Sequence, residues 1–203
     1  MRLLLPALAL GLALPTAAQT TYGVRAGLNV SDFVGFDDEA ALGGFDTSPS
    51  LGFVGGVFAE VPVSPQFAVR PEILYAQKGF TVEAFDLNRA INVDYVEVPV
   101  LARVGVPLSP TLGAGLLVGP AFAFKVNESF DDGELASFDG GDAFEAFDLG
   151  LALGVEVGSG PFYVDLRYTP GLLDVNRNEE DDDSAPTIRN GVFSVTGALK
   201  FGP

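Results

Sequence analysis

Two alternating stretches joined by three small residues, between residues 147 and 173, constrain the fold of this chain most strongly. Apolar side chains occupy every second position of the first arm, 147–157, and the positions between them carry glycine, alanine or an acidic residue. The second arm, 162–169, alternates in the same way. Period-two alternation on both sides of a Gly-Ser-Gly connection at 158–160 predicts a β-hairpin with one wholly apolar face.

The opposite face of this hairpin mixes charged side chains with glycine and alanine, and the mixture indicates which face is inside. In a water-soluble sheet the charged face would be exposed, and glycines there would weaken the strands without improving their packing. In a small membrane barrel the same face lines a crowded lumen, where tiny residues leave room for long ionised ones. We therefore predict that the apolar face meets lipid.

Eight alternating segments follow residue 19, and most of them are 10 to 15 residues long. A tilted strand of this length crosses a bilayer, and an even number of antiparallel strands closes a barrel without a free edge. The predicted fold class is all-β: an eight-stranded antiparallel up-and-down transmembrane β-barrel with short periplasmic turns and long acidic external loops. The predicted strands cover residues 22–33, 51–61, 67–78, 93–106, 112–126, 147–157, 162–173 and 192–201.

The connections between these segments alternate between short and long, as in single-chain outer-membrane barrels. The short ones are centred on 62–65, 107–110 and 158–160, and the long ones cover 35–50, 79–92, 127–146 and 174–191. The four long connections hold 19 of the 27 acidic residues. Such loops either adapt the surface to high salt, which we favour, or bind a cationic partner or divalent ions.

Thirteen charged residues fall on the predicted lumen face of the strands. They are Arg25, Glu60, Arg70, Glu72, Lys78, Glu97, Arg103, Lys125, Asp148, Glu156, Asp165, Arg167 and Lys200. Seven are positive and six are negative, and a near balance of this kind predicts an ion-pair network. Because side chains fill the interior of an eight-stranded barrel, we expect the network to plug the lumen.

Aromatic residues are predicted near both rims of the barrel, where ring systems sit at lipid headgroups. Those near the long loops are Phe33, Phe53, Tyr75, Phe124, Phe147, Tyr168 and Phe193, and those near the short turns are Tyr22, Phe67, Phe162 and Phe201. Three prolines, Pro71, Pro99 and Pro120, fit poorly inside paired strands because each removes a hydrogen-bond donor. β-Bulges are one way to accommodate them.

The first residues have the composition of a secretory signal. Arg2 supplies a positive charge, 3–14 is apolar, and small residues at 16–18 offer a cleavage site. We predict a signal peptide at 1–18 and one barrel domain at 19–203, located in the outer membrane. A membrane anchor is the alternative, which the shortness of the apolar segment disfavours.

Several kinds of chemistry are excluded or disfavoured by composition. The chain has neither cysteine nor histidine, and its net charge of −16 argues against a nucleic-acid partner. Outer-membrane barrel enzymes of the known types rely on a histidine as base or orienting group. A carboxylate-only hydrolase through Glu97 and Asp148 is conceivable, but ion pairing is the favoured role of both. We therefore predict no enzyme, no catalytic residue and no cofactor.

One long loop is weakly similar to a calcium-binding loop. Asp174, Asn176 and Asn178 have the alternating oxygen ligands of such a loop. Glu179 stands where that motif needs glycine, and Ala185 stands where it needs glutamate. A solvated acidic loop without a metal is therefore the favoured interpretation.

Six short motifs occur in a characteristic order. They are 23–29 (Gly-Val-Arg-Ala-Gly-Leu-Asn), 71–79 (Pro-Glu-Ile-Leu-Tyr-Ala-Gln-Lys-Gly), 95–99 (Tyr-Val-Glu-Val-Pro), Gly119-Pro120, 148–156 (Asp-Leu-Gly-Leu-Ala-Leu-Gly-Val-Glu) and 167–172 (Arg-Tyr-Thr-Pro-Gly-Leu). Together they resemble the PorT-like family of small outer-membrane β-barrels over nearly all of 22–202. The resemblance implies an eight-stranded barrel of the general OmpA/OmpX type. The chain departs from the usual aromatic terminus of such barrels, because Gly202 and Pro203 follow Phe201.

The expected role is structural or interaction-based: envelope integrity, adhesion, or accessory to an envelope complex. The expected partners are outer-membrane lipid and envelope proteins that contact the external loops, and we expect a monomer. Two alternatives remain open from sequence: a soluble lipocalin-like periplasmic carrier with its apolar face around a ligand, and a small-solute channel.

The membrane barrel and the soluble carrier differ in two simple measurements. We expect the chain to fractionate with outer membranes, and to migrate differently on gels when it is not boiled. Release of the chain with soluble periplasmic contents would support the carrier instead.

Overall fold

Eight antiparallel strands close into one barrel in the computed structural model, which describes residues 20–34, 46–84, 87–131, 146–173 and 189–202. The strands are β1 (Thr21–Val34), β2 (Asp46–Pro62), β3 (Phe67–Ala84), β4 (Leu87–Pro107), β5 (Leu112–Asp131), β6 (Phe147–Ser159), β7 (Phe162–Pro170) and β8 (Arg189–Phe201). Each strand pairs with the next, and β8 pairs with β1. The predicted fold class is confirmed. Within the described ranges no helix has the length and hydropathy to cross a membrane.

The outer wall is apolar and the interior is polar, as the alternation predicts. Val155 and Val164 are 44% and 54% exposed on the outer face. Their neighbours in sequence, Glu156 and Asp165, point inward and are fully buried. A membrane barrel requires this arrangement, because only the outer face meets hydrocarbon.

The two ends of the barrel differ in their connections. We call the end with the short connections and both ends of the described chain the turn rim, and the opposite end the loop rim. Exposed aromatic side chains form a girdle at each rim, as predicted. They are Phe53, Tyr75, Phe124, Phe147, Tyr168 and Phe193 towards the loop rim, and Tyr22, Phe67, Phe162 and Phe201 at the turn rim. The side chain of Phe33 lies outside the described part.

The wall is taller on one side than the sequence predicts. Strands β2 to β5 have 17, 18, 21 and 20 residues, whereas β1, β6 and β8 have 13 or 14. The prediction of a long connection at 79–92 is wrong, because β3 and β4 continue to pair as far as Ala84 and Leu87. Apolar alternation fades where a strand leaves the bilayer, although its backbone ladder continues. We call this extension of β2–β5 beyond the loop rim the tall wall.

Strand β7 is shorter than predicted. It ends at Pro170 with nine residues, and beyond it Gly171 forms only an isolated bridge with Gly150. The proline supplies no backbone donor at the point where the ladder stops.

The three prolines are accommodated without β-bulges. Around Pro71, Pro99 and Pro120 the ladders are interrupted for two residue pairs and then resume in an unchanged register. The register shifts that do occur lie nearer the loop rim. A missing donor therefore removes local pairing here without adding a residue to the strand.

Three inward-facing glycines allow close approach of neighbouring strands. A Cβ atom added at Gly27, Gly56 or Gly119 would collide with a backbone carbonyl oxygen of the adjacent strand. A backbone atom cannot move aside as a flexible side chain can, so each position excludes any larger residue.

The glycine at 119 can be compared with one on the same face of the same strand. We expect Gly119→Ala to lower the free energy of unfolding by about 1–3 kcal/mol, the usual cost of overpacking. Gly113→Ala is the matched control, because nothing lies within 4 Å of a Cβ added there. Urea unfolding in detergent micelles measures both variants, and equal losses would contradict the steric explanation.

Candidate functional site: the ionic lumen

The barrel interior contains two groups of paired charges at different heights. The turn-side network comprises Arg25, Glu60, Arg70, Glu72, Arg103, Glu156, Asp165, Arg167 and Lys200. The loop-side cluster comprises Lys78, Glu97 and Asp148. These are twelve of the thirteen predicted lumen residues. Lys125, the thirteenth, occupies an inward-facing position of β5 and also has an interaction partner.

Glu72 of β3 is the centre of the turn-side network. Its carboxylate accepts hydrogen bonds from Arg25 Nη1 at 3.0 Å and from both terminal nitrogens of Arg167, at 2.8 and 3.1 Å. The Nε atom of Arg70 lies 3.0 Å from its other side. Asp165 accepts from Arg167 at 2.9 Å and from Arg25 at 3.3 Å. Strands β1, β3 and β7 are thus joined across the lumen.

Glu156 of β6 is a second centre, closer to the turn rim. It accepts hydrogen bonds from Arg70 at 2.6 Å, Arg103 at 2.5 Å and Lys200 at 3.0 Å. Lys200 also donates to Glu60 at 3.0 Å. Because Arg70 contacts both Glu72 and Glu156, the two centres form one continuous network.

Aromatic faces complete the surroundings of two cations. The guanidinium of Arg70 lies 3.8 Å from the ring centre of Phe58, and the ammonium of Lys200 lies 3.9 Å from that of Tyr163. Both rings face the lumen, unlike the girdle aromatics. Cation–π contact partly compensates for the water that these cations lose.

The loop-side cluster is smaller and is separate from the network below it. Lys78 lies 2.6 Å from a Glu97 oxygen and 4.0 Å from an Asp148 oxygen. Asn190 donates to Asp148 at 2.9 Å, and the ring of Tyr95 lies beside the Lys78 ammonium.

A layer of apolar and neutral polar residues, bordered by Arg25 and Arg167 on one side and by Glu97 on the other, separates the two charged groups. Its apolar members are Val54, Leu74, Pro99, Ala121, Ala152 and Val192. The cavity that they line has a volume of about 10 Å³. This is the room that roughly one water molecule needs, so the described interior contains no solute-sized passage at this height.

The charges of the most deeply buried part balance. Arg25, Arg70 and Arg167 face Glu72, Glu156 and Asp165, and the side chains of all six are at most 4% exposed. Arg103, Glu60 and Lys200 lie towards the turn rim and are slightly more exposed. A neutral set of mutually hydrogen-bonded charges is the form in which ionised groups persist away from water.

The structure describes the residues considered for hydrolysis but not those considered for calcium binding. Glu97 and Asp148, the pair considered for hydrolysis, both face Lys78 and are engaged with it. No group of three or more acidic or other ligating residues in the described part has the geometry to hold a metal ion. The calcium-loop candidates Asp174, Asn176 and Asn178, and the signal peptide at 1–18, lie outside the described residues.

Neutral polar residues, which the charge pattern of the sequence does not single out, complete the lumen. Asn29 accepts a hydrogen bond from Ser194 at 2.7 Å, and Thr196 accepts one from Arg25 at 2.8 Å. Their inward position follows from strand parity, but nothing in their type distinguishes them from polar residues elsewhere.

Asp94 was also missed, and it lies on the outer wall. It is 8% exposed, accepts a hydrogen bond from Asn127 at 3.1 Å, and is hydrogen-bonded to the Tyr75 hydroxyl. Pairing with polar neighbours next to the aromatic girdle lets a carboxylate lie on this face without meeting hydrocarbon. The register shift beside it would have been the only signal, and it cannot be seen in the sequence.

Comparison with known proteins identifies one matching family and several similar solved structures. A family model described as an outer membrane protein beta-barrel domain matches residues 17–177. OprG of Pseudomonas aeruginosa is similar at 12% identity over 90% of this chain and 96% of its own, with a TM-score of 0.50. No curated protein matches the sequence.

Two further solved structures are similar at lower TM-scores. Neisserial surface protein A has 14% identity over 89% of this chain and 97% of its own, with a TM-score of 0.49. Ail of Yersinia pestis, in complex with the heparin analogue sucrose octasulfate, has 13% identity over 90% and 99%, with a TM-score of 0.45.

Glu72→Gln tests the turn-side network, because it leaves three buried guanidinium groups without their shared carboxylate. Removing one partner of a buried ion pair costs roughly 3–5 kcal/mol, and we expect the free energy of unfolding in detergent to fall by that order. The double variant Glu72→Gln/Arg167→Gln restores the charge balance and should lose less than the sum of the two single variants. Strictly additive losses would contradict a coupled network.

Proposed function

We propose that this chain, which belongs to the outer membrane protein beta-barrel domain family, is a closed barrel whose role is structural or interaction-based. It is an outer-membrane protein, and the proposal concerns what it does there. The filled lumen carries the proposal, because a barrel that passes no solute acts through its surfaces. Envelope integrity, adhesion and support of an envelope complex are the roles that such surfaces provide.

Two properties of the lumen argue against a channel. The turn-side network links every strand except β5 by side-chain hydrogen bonds among the described residues, and the layer above it has room for about one water. Opening a path would separate several buried ion pairs at once, each with a cost of roughly 3–5 kcal/mol when one partner is left alone.

The soluble carrier is not favoured. A lipocalin-like barrel would keep its apolar side chains inside, around a ligand. Here Leu153 and Leu166 are 44% and 40% exposed on the outer wall, and the interior is occupied by charged groups. In the part of the chain that the structure describes, the lumen beside Leu74 has room for about one water, and the exterior is apolar.

The loop rim is the surface that we assign to the partner. The tall wall extends beyond the bilayer only on this side. The connections there also hold most of the acidic residues of the chain. An anionic, projecting surface attracts cationic partners at long range. We also propose, on the six motifs, that the chain is of the PorT-like type within its family.

Photo-crosslinking in native outer membranes tests this assignment. A photoreactive residue replaces Leu172 next to the loop rim, and the matched control replaces Val63 in a turn at the opposite end; both are exposed apolar positions. We expect a discrete protein adduct from position 172 and none from position 63. Adducts from position 63 alone would move the interaction to the turn rim and contradict the proposal.

Electrical recording distinguishes the channel alternative. We expect the purified chain to produce no stable conductance steps in planar bilayers, because the lumen is filled. Reproducible steps that change in the Glu72→Gln variant would show conduction through the lumen and would overturn the closed-barrel proposal.

A further inference from the structure

An apolar groove crosses the outer wall of the barrel. It begins beside Tyr22 and Phe201 at the turn rim, passes over β1, β2 and β3, and ends at Val98 of β4. Its volume is about 560 Å³, compared with about 10 Å³ for the lumen cavity beside Leu74. Most lipid-facing barrel surface is convex, so a groove of this size needs a structural cause.

The cause is the interruption of two ladders at Pro71. Pairing between β2 and β3 stops after Phe58 and resumes at Val61, and pairing between β3 and β4 stops after Pro71 and resumes at Leu74. Ala59, which lies opposite Pro71 at the first interruption, is the smallest outward-facing side chain of the lining. Missing pairing and a small side chain together lower the floor of the groove.

The position of the groove identifies what fills it. It is continuous with the exposed apolar face that contacts the hydrocarbon of the outer membrane, so water does not occupy it. It opens at the turn rim, which faces the periplasmic leaflet in barrels of this kind, and that leaflet consists of phospholipid. Lipopolysaccharide, which lies in the other leaflet, does not reach this end.

The length of the groove fits one acyl chain. Val98 is nine residues from the end of β4 at Pro107. At about 3.3 Å per residue and a tilt of about 45°, this corresponds to roughly 20 Å of height. One leaflet contributes roughly 15 Å of hydrocarbon, so the groove extends to about the depth that a phospholipid chain reaches.

We propose that the groove is a binding site for one acyl chain of a phospholipid from the periplasmic leaflet. Lipid tails are as apolar as the groove, so binding comes from close packing and not from exclusion of water. The lining offers no cation to the lipid phosphate, since its one charged residue, Glu72, directs its carboxylate into the lumen. The site therefore selects the chain and not the headgroup.

Native mass spectrometry of the full chain, purified from outer membranes in mild detergent, tests this site. We expect one phospholipid to remain bound to wild type. Ala59→Leu fills the floor of the groove and should reduce the bound fraction about tenfold, the equivalent of about 1.4 kcal/mol. Ala102→Leu is the control, because Ala102 is an exposed outer-wall alanine that does not line the groove.

A second variant protects the test against misfolding. Val24→Phe blocks the groove from β1, and the gel shift of unboiled samples shows whether each variant is folded. Loss of the lipid from folded Ala59→Leu or Val24→Phe, but not from Ala102→Leu, supports the site. Equal retention in all folded variants, absence of lipid from wild type, or a bound lipopolysaccharide or free fatty acid would each overturn it.

Discussion

The bilayer allows charge on only one side of this wall, and the rest of the structure follows from that constraint. Between the aromatic girdles, a strand that carries an ionised residue must turn it inward, where an eight-stranded barrel has little space and little water. The charges therefore have to pair with one another. Glu72 with three arginines and Glu156 with two arginines and a lysine are the result.

Long and short side chains are distributed around the lumen so that this pairing is possible. Arginines come from β1, β3, β4 and β7, whereas the inward positions of β5 and β6 are mostly glycine and alanine. The small residues leave the space into which the long ones extend. Gly115, for example, would place a Cβ atom about 3.0 Å from Glu156 and 3.1 Å from Arg103. The glycines thus make room for the ions as well as for the neighbouring strands.

The extent to which the sequence predicts this structure depends on which interaction produced each feature. Lipid contact acts on every second residue, so the eight strands, the outer face and the inward position of residues such as Arg25 and Asp165 could be predicted. Which charged side chains pair with one another could not be predicted. Strand parity places Arg70 on the inner face, but it does not show that Arg70 joins Glu72 to Glu156. That choice depends on register around the whole barrel.

The tall wall was missed for a related reason. Beyond the loop rim, lipid no longer imposes alternation, and only backbone hydrogen bonds keep the strands together. Residues 79–92 are half polar or glycine and half apolar, without sustained alternation, yet β3 and β4 remain paired through most of them. The ladder interruptions at Pro71 were also not predictable. The sequence shows that proline lacks a donor, but the effect on pairing depends on the two neighbouring strands.

Separation of the two charged groups has a consequence for how the protein can work. Among the described residues, no salt bridge in the layer around Leu74 and Ala152 links the loop-side cluster to the turn-side network. A change at the loop rim therefore perturbs Lys78 and its two carboxylates without unpairing Glu72 or Glu156. The ion pairs around Glu72 and Glu156 therefore stay intact when residues at the loop rim change. Under the proposed function, such a barrel presents its loop rim to a partner while its lumen stays closed.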